Sequence, residues 1–330
     1  MKNIFKDKTI LVTGGTGSIG SELVRQILKC EPAQVRVFSR NDTRQYKLRE
    51  DLGYPKNIRL LIGDIRDRDR LDFAFRGVDY IFHAAALKHV PLCEYNQFET
   101  VKTNIVGSQN VIDMAIKNNV GKVIGISTDK AANPTNVMGV SKLMMERLFV
   151  GATLLSTNKP SFSCVRFGNV AWSDGSVLPL WDKQIREGNY MRVTNKNMTR
   201  FFMSIEQASK LVLEAADLSR GGEIFILKMP SIKIIDLARL FIKKHYSGKK
   251  IKMQFVGNRP GEKIHECLLE HDEKDHYIFS NETMYVVAPK FNIYDQTRIS
   301  YDYPGFKKSI KYKKRSSKDT IDHKKIAELI

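Results

Sequence analysis

The sequence predicts an α/β fold: a doubly wound, mostly parallel sheet followed by a smaller C-terminal lobe. Short apolar runs recur along the first half, amphipathic segments of helix length separate them, and a glycine-rich turn joins the first run to the first helix. Residues 9–13 (TILVT) read as a buried strand, and the next segment sets Ile19, Leu23 and Ile27 on one helical face. Residues 35–38 and 58–62 read as the second and third strands, and residues 80–84 and 123–127 continue the series. Right-handed crossovers between such strands wind the sheet in both directions. After Phe167 the regularity weakens, with Gly, Pro and Asn frequent at 169–179 and again at 257–261. The stretch 201–227 reads once more as helix plus strand and is expected to rejoin the sheet.

The chain has 330 residues, 42% of them hydrophobic, and a formal net charge of +18. That composition supports a large core. No run approaches the roughly 18 to 20 consecutive apolar residues of a membrane span. The N-terminus reaches its first strand almost at once, so no signal peptide is expected and a cytoplasmic location fits. Cys30, Cys93, Cys164 and Cys267 lie far apart, which indicates neither a disulfide framework nor a metal site. Nine basic residues between Lys307 and Lys325 face only Asp319 and Asp322, so this segment carries +7 of the +18. The polar tail 304–330 is therefore expected to lie partly disordered outside the folded body.

Gly14, Gly17 and Gly20 form G-x-x-G-x-x-G between the first strand and the first helix. Glycine permits the tight turn and lets backbone approach a pyrophosphate at the positive helix N-terminus, a Rossmann-like arrangement. A glycine pattern alone is weak, but here strand and helix flank it, and dinucleotide binding follows, with Ser18 and Ile19 in the loop. The second strand ends in Ser39-Arg40, with Arg44 nearby. An acidic residue there would favour NAD, whereas arginine accommodates a 2′-phosphate, so NADP is expected, with NAD the alternative. Asp64-Ile65, after the third strand, stands where a side chain can meet the adenine amino group.

Further segments fall at later strand ends and beyond: HAAALKHVP from His83, STDKAANPTNVMGVSK from Ser127, RFGNV from Arg166, GSVLPL from Gly175, MTRFFMS from Met198 and RPGEKIHE from Arg259. On these the chain resembles the extended short-chain dehydrogenase/reductase family, and within it the UDP-N-acetylglucosamine 4,6-dehydratases of bacterial surface-glycan synthesis. The resemblance covers roughly residues 7 to 290. It implies that Ala84, Ala86, Lys88, Met138 and Lys142 contact the cofactor. It likewise implies that Lys88, Ser127, Thr128, Asn169, Val177, Arg200, Arg259 and Glu262 line a UDP-sugar site.

The implied reaction explains why an Asp-Lys pair is needed. Oxidation at C4 acidifies the neighbouring C5–H, so a base can remove that proton while an acid protonates the departing C6 hydroxyl. The resemblance makes Lys130 the base and Asp129 the acid. Lys130 would then have to be neutral part of the time, and burial beside a cation would lower its pKa. The wider family uses Tyr-x-x-x-Lys, but here the positions are Met138 and Lys142. A thioether is neither acid nor base, so Thr128 and Asp129 become the nearest groups for the C4 hydroxyl. Met138 and NPTNVMG resemble the C5-retaining branch, the compact length and C-terminal segments the inverting one, and the alternatives stay open.

The resulting domain plan assigns 1–167 to the dinucleotide, with the sheet completed by 199–228, and 168–198 plus 229–303 to a substrate-binding lobe. A homo-oligomer is expected, as in relatives. A UDP-sugar 4-epimerase or bifunctional epimerase/dehydratase is the competing enzyme reading. The basic tail alone supports a non-catalytic nucleotide- or nucleic-acid-binding protein, which the arginines' fit to anionic NADP and UDP-sugar makes the weaker reading.

Overall fold

The computed structural model describes residues 3–155, 159–269, 276–290, 299–309 and 315–330. Strands β1 (Thr9–Thr13), β2 (Gln34–Ser39), β3 (Ile58–Ile62), β4 (Tyr80–His83), β5 (Lys122–Thr128) and β6 (Ser161–Phe167) run parallel in one sheet. Their near-continuous apolar runs suit strands covered on both faces; β6, for example, buries six consecutive residues. β7 (Asn169–Val170), β8 (Tyr190–Val193) and β9 (Thr199–Met203) lie outside this sheet, and β10 (Ile224–Leu227) returns to it beside β6. β11 (Ser231–Lys233), β12 (Lys252–Phe255) and β13 (Cys267–Leu269) are again outside. β14 (His276–Ser280), β15 (Met284–Pro289) and β16 (Lys307–Ser309) extend the large sheet with antiparallel pairing.

Among the described residues the large sheet has ten strands, in the order β16-β14-β15-β10-β6-β5-β4-β1-β2-β3. Strand order reverses between β1 and β4, which opens a crevice at the C-terminal strand ends. The first helix, Ser18–Leu28, buries Gly20, Leu23, Val24 and Ile27 and packs against the helix Ile205–Leu218.

Two expectations need correction. Residues 199–203 form β9 in a small sheet with β7 and β11, so of that stretch only β10 joins the large sheet, although Phe201 and Met203 pack into the main core; and β14 and β15 belong to the large sheet rather than to the substrate lobe. The tail, too, folds back. β16 pairs with β14, β17 (Arg315–Ser316) pairs with β13, and the helix His323–Leu329 seals a second core. Ile326 and Ile330 are buried there with Trp181, Phe202, Leu237 and Phe241. That apolar anchorage, invisible in a count of lysines, outweighs the segment's charge. Lys311, Lys313 and Lys314 lie outside the described residues.

A buried ion pair ties β13 and the helix Val137–Leu155 to β6 within the main core. Arg166 on β6 donates to both carboxylate oxygens of Glu146, at 3.0 and 2.8 Å, and to the Leu268 carbonyl of β13 at 2.8 Å. The bidentate fork and the extra carbonyl satisfy a guanidinium that is only 2% exposed.

Candidate active site

The glycine loop separates structural from free glycines. Gly14 has a φ of +63°, and a Cβ on it would lie 2.7 Å from the Ala85 nitrogen at the end of β4. A Cβ on Gly20 would lie 2.2 Å from the Gly14 carbonyl oxygen, so the fold itself excludes a side chain. Gly17 differs. It caps the helix with no side-chain bond, and a Cβ there meets only the Gly14 oxygen, at 3.3 Å. Packing accounts for Gly14 and Gly20, whereas a bare Gly17 leaves backbone N–H groups open to a close-lying phosphate, the cradle a dinucleotide requires.

Around the loop, Ser39 is buried and bonded by Thr16 Oγ and Gln45 Nε2. Arg40 and Arg44 are well exposed beyond it. Asp64 accepts from Arg66 at 2.8 Å and lies 3.7 Å from Arg40. Burial works to raise its pKa, but the Arg66 bonds and charge, with Arg40 behind them, hold the carboxyl below its ordinary value. Ile65 is buried, Ala84 and Ala86 are half-buried at the end of β4, and Ile19 packs against the main core.

Three of the predicted cofactor residues converge on one that the sequence did not reveal. The Asp174 N–H donates to Ser18 Oγ at 2.9 Å, Lys88 Nζ donates to the Asp174 carbonyl at 2.6 Å, and Arg44 lies 3.8 Å from its carboxylate. The adjacent Gly175 is pressed so close to His89 that a Cβ would come within 2.4 Å of the ring. Exposed His89 thus rests against Gly175, and the loop carrying Asp174 is held to the first helix, Lys88 and Arg44. Half-buried Val177 follows it as the first residue of the helix Val177–Gly188.

At the end of β5 the chain turns sharply through Asp129–Ala131, one turn of 3₁₀ helix. Lys130 Nζ donates to Asp129 Oδ1 at 3.0 Å and to Asn169 Oδ1 at 3.4 Å, while Thr128 Oγ donates to Asp129 Oδ1 at 3.0 Å. Asp129 is fully buried, and its Oδ2 has no hydrogen-bond partner; neither has the buried Ser127 Oγ. Two orphaned polar atoms at one strand end mark a place built to receive a polar ligand.

Behind Lys130 stands Glu266, which sequence reasoning passed over although it closes the RPGEKIHE segment. Glu266 is 2% exposed; its Oε1 lies 3.7 Å from Lys130 Nζ and 3.9 Å from Arg200 Nε, and its Oε2 lies 3.6 Å from Lys263 Nζ. The expectation of a lowered Lys130 pKa is therefore reversed. Burial does press it downward, but the carboxylates of Asp129 and Glu266 outweigh burial and the opposing Arg200, and the ammonium is held above its ordinary value. Nothing local to the Asp-Lys dipeptide could have shown this.

Arg200, expected to line a UDP-sugar site, turns its guanidinium to the protein backbone instead. It is 6% exposed, and its guanidinium donates to the carbonyls of Thr199, Ile264 and Lys263 at 2.8, 3.2 and 2.9 Å. It braces the wall from behind. Arg259 is exposed, and its backbone N–H donates to Glu262 in a turn that docks on Asn136 and Thr135. Met138 is buried, and Lys142 Nζ donates to the Ile126 carbonyl at 2.7 Å. Burial pushes the Lys142 ammonium down to about 8.

The fold and this site define an enzyme of the nucleotide-sugar dehydratase/epimerase class. The chain belongs to the polysaccharide biosynthesis protein family, whose pattern matches residues 10–288. A Methanocaldococcus jannaschii protein named "Uncharacterized membrane protein MJ1061" is 52% identical over 295 residues, 88% of each chain. Among the described residues here, no helix is long and apolar enough to cross a membrane. The Campylobacter jejuni "UDP-N-acetylglucosamine 4,6-dehydratase (inverting)" is 42% identical, covering 89% of this chain and 86% of its own. A Rickettsia canadensis "UDP-glucose 4-epimerase" is also 42% identical, over 82% and 80%. The X-ray structure of Pen from Bacillus thuringiensis superposes with a TM-score of 0.92 at 41% identity, covering 99% and 98%.

Proposed function

We propose that this protein is an NADP-dependent UDP-N-acetylglucosamine 4,6-dehydratase that forms a UDP-4-keto-6-deoxy-N-acetylhexosamine. The observation that carries this reading is the buried Asp129–Lys130 pair at the end of β5, 3.0 Å apart and beside orphaned Asp129 Oδ2 and Ser127 Oγ. Exposed Arg40 and Arg44 at the end of β2 favour a 2′-phosphate on the cofactor. A bound nicotinamide dinucleotide supplies the hydride acceptor for C4 and later the donor for C6. Lys142, buried below the cleft, steadies the nicotinamide ribose. Arg259 and Glu262, on the docked turn, meet the UDP moiety.

The proton path runs through this chain's own groups. The C4 hydroxyl gives its proton by way of Thr128 Oγ to Asp129, a route that replaces the tyrosine absent at Met138. Asp129 passes that proton to the C6 hydroxyl as it departs as water, while Lys130 takes the proton from C5. After hydride reaches C6, Lys130 returns its proton to C5, and both side chains end as they began. Lys130 must shed the proton that Asp129 and Glu266 hold on it before the cycle starts. Activity therefore rises with pH until the amine is deprotonated.

Incubation with UDP-N-acetylglucosamine in D2O, followed by proton NMR, tests the reading. A 6-methyl signal is expected, with deuterium carried into C5 from the solvent-exchanged Lys130 amine. Its absence with cofactor bound sinks the proposal. In the Lys130→Met variant, dehydration should drop by roughly 10²–10⁴-fold with cofactor retained. The epimerase-named relatives favour a second reading, in which the sugar keeps its 6-hydroxyl and changes configuration at C4; the same spectrum separates the two.

A further inference from the structure

Glu266 has no role in the reaction as written, yet its surroundings are unusual. It is a buried carboxylate among three cations, Lys130, Arg200 and Lys263, each 3.6 to 3.9 Å away, and its Oε2 accepts no hydrogen bond. Every cation beside it has a firmer partner elsewhere. Arg200 is bonded to carbonyls, Lys263 donates to the Ala132 carbonyl at 2.6 Å, and Lys130 donates to Asp129. Glu266 therefore attracts the Lys130 amine without clamping it.

Its backbone, by contrast, is held rigidly. The Glu266 N–H donates to Ser317 Oγ at 3.0 Å, and the Ser317 N–H donates to the Glu266 carbonyl at 2.8 Å. Ser317 Oγ also meets Thr199 Oγ at 2.7 Å, which in turn bonds His265 Nδ1 at 2.8 Å. A loose electrostatic hold on a rigid mount is what a residue needs to aim a proton-transfer group that must still move.

We propose that Glu266 is the positioning residue of this site: from beside Asp129, 3.7 Å from the Lys130 amine, it aims that amine and sets the pH at which it becomes a base. The inference rests on the dehydratase reading only for its consequence in turnover; its geometry stands without substrate. The charged groups around Lys130 are Asp129 on its own turn, Glu266 and Lys263 on the segment leading into β13, and Arg200 on β9. On the packed helix Val137–Leu155, Lys142 is turned to the Ile126 carbonyl and Glu146 is locked to Arg166. Glu266 is then the removable counter-charge, supported by the raised Lys130 pKa.

The test is an NMR titration of lysine side chains in the full chain without substrate, with the Lys130 resonance assigned by its loss in Lys130→Met. In Glu266→Gln, Lys130 should titrate about one pH unit or more below the unaltered protein, since a counter-charge within about 4–6 Å is worth 1–3 units. Glu266→Asp, with a shorter carboxylate, should fall between the two, and is read alone if the glutamine variant does not fold. In turnover, the alkaline-rising limb should move down with the titration while KM for UDP-N-acetylglucosamine stays unchanged. A Lys130 titration unchanged in the folded variants overturns the proposal, because lost packing alone would alter melting or KM but leave this titration in place. Failure of the unaltered protein to dehydrate its substrate would instead overturn the dehydratase reading, with the titration still deciding Glu266.

Discussion

The glycine loop and the charged wall beside Lys130 are built on opposite plans. The loop is contiguous: strand, turn and helix lie within residues 9–28, and the constraints on Gly17 and Gly20 come from Gly14 itself, with only Gly14 pressed from outside by Ala85. The wall draws Asp129, Asn169, Arg200, Glu266 and Ser317 from five separate segments and is held by buried charge rather than by sterics. A local device can be read from spacing. A device assembled across the chain shows only its parts.

The largest effect should come from the buried pair that ties β13, just past Glu266, to the main sheet. Glu146→Ala removes the carboxylate that accepts two of the Arg166 guanidinium bonds, and should cost about 3–5 kcal/mol in chemical denaturation. Full stability in that variant would mean the fold does not depend on this pair.

Within the loop, Gly20→Ala should destabilise by roughly 1–3 kcal/mol through overpacking against the Gly14 carbonyl. Gly17→Ala should melt nearly as the parent does, yet bind the dinucleotide about tenfold less tightly, or roughly 1.4 kcal/mol. Equal melting and equal affinity in these two variants would erase the distinction between structural and free glycines. An effect confined to one of the two cofactors is expected at the exposed Arg40. Arg40→Ala should weaken NADP about tenfold and leave NAD unchanged by fluorescence titration; equal losses for both would remove Arg40 from the 2′-phosphate.

Much of the fold was legible because its strands are short and continuously apolar, and the Asp129–Lys130 pair because it closes one of them. What escaped was whatever depends on a distant partner. Lys130 reads as a lysine to be depressed by burial until Glu266 is set beside it, and Arg200 reads as a lining residue of a UDP-sugar site until its N–H groups are found on carbonyls. Asp174 carries no sequence signal at all: its neighbour Ser18 lies 156 positions away. The basic segment misled in the other direction, since nine lysines and arginines concealed Ile326 and Ile330, which anchor it.

That anchoring bears on how the protein comes to exist. Thr199 and Ser317 bond across 118 positions, and the backbone of Glu266 is fixed only when Ser317 arrives. During synthesis the glycine loop can form once residues 9–28 are made, but the wall must wait for Ser317, 118 positions after Thr199. A nascent chain stalled before Ser317 would carry the nucleotide loop and lack a finished wall.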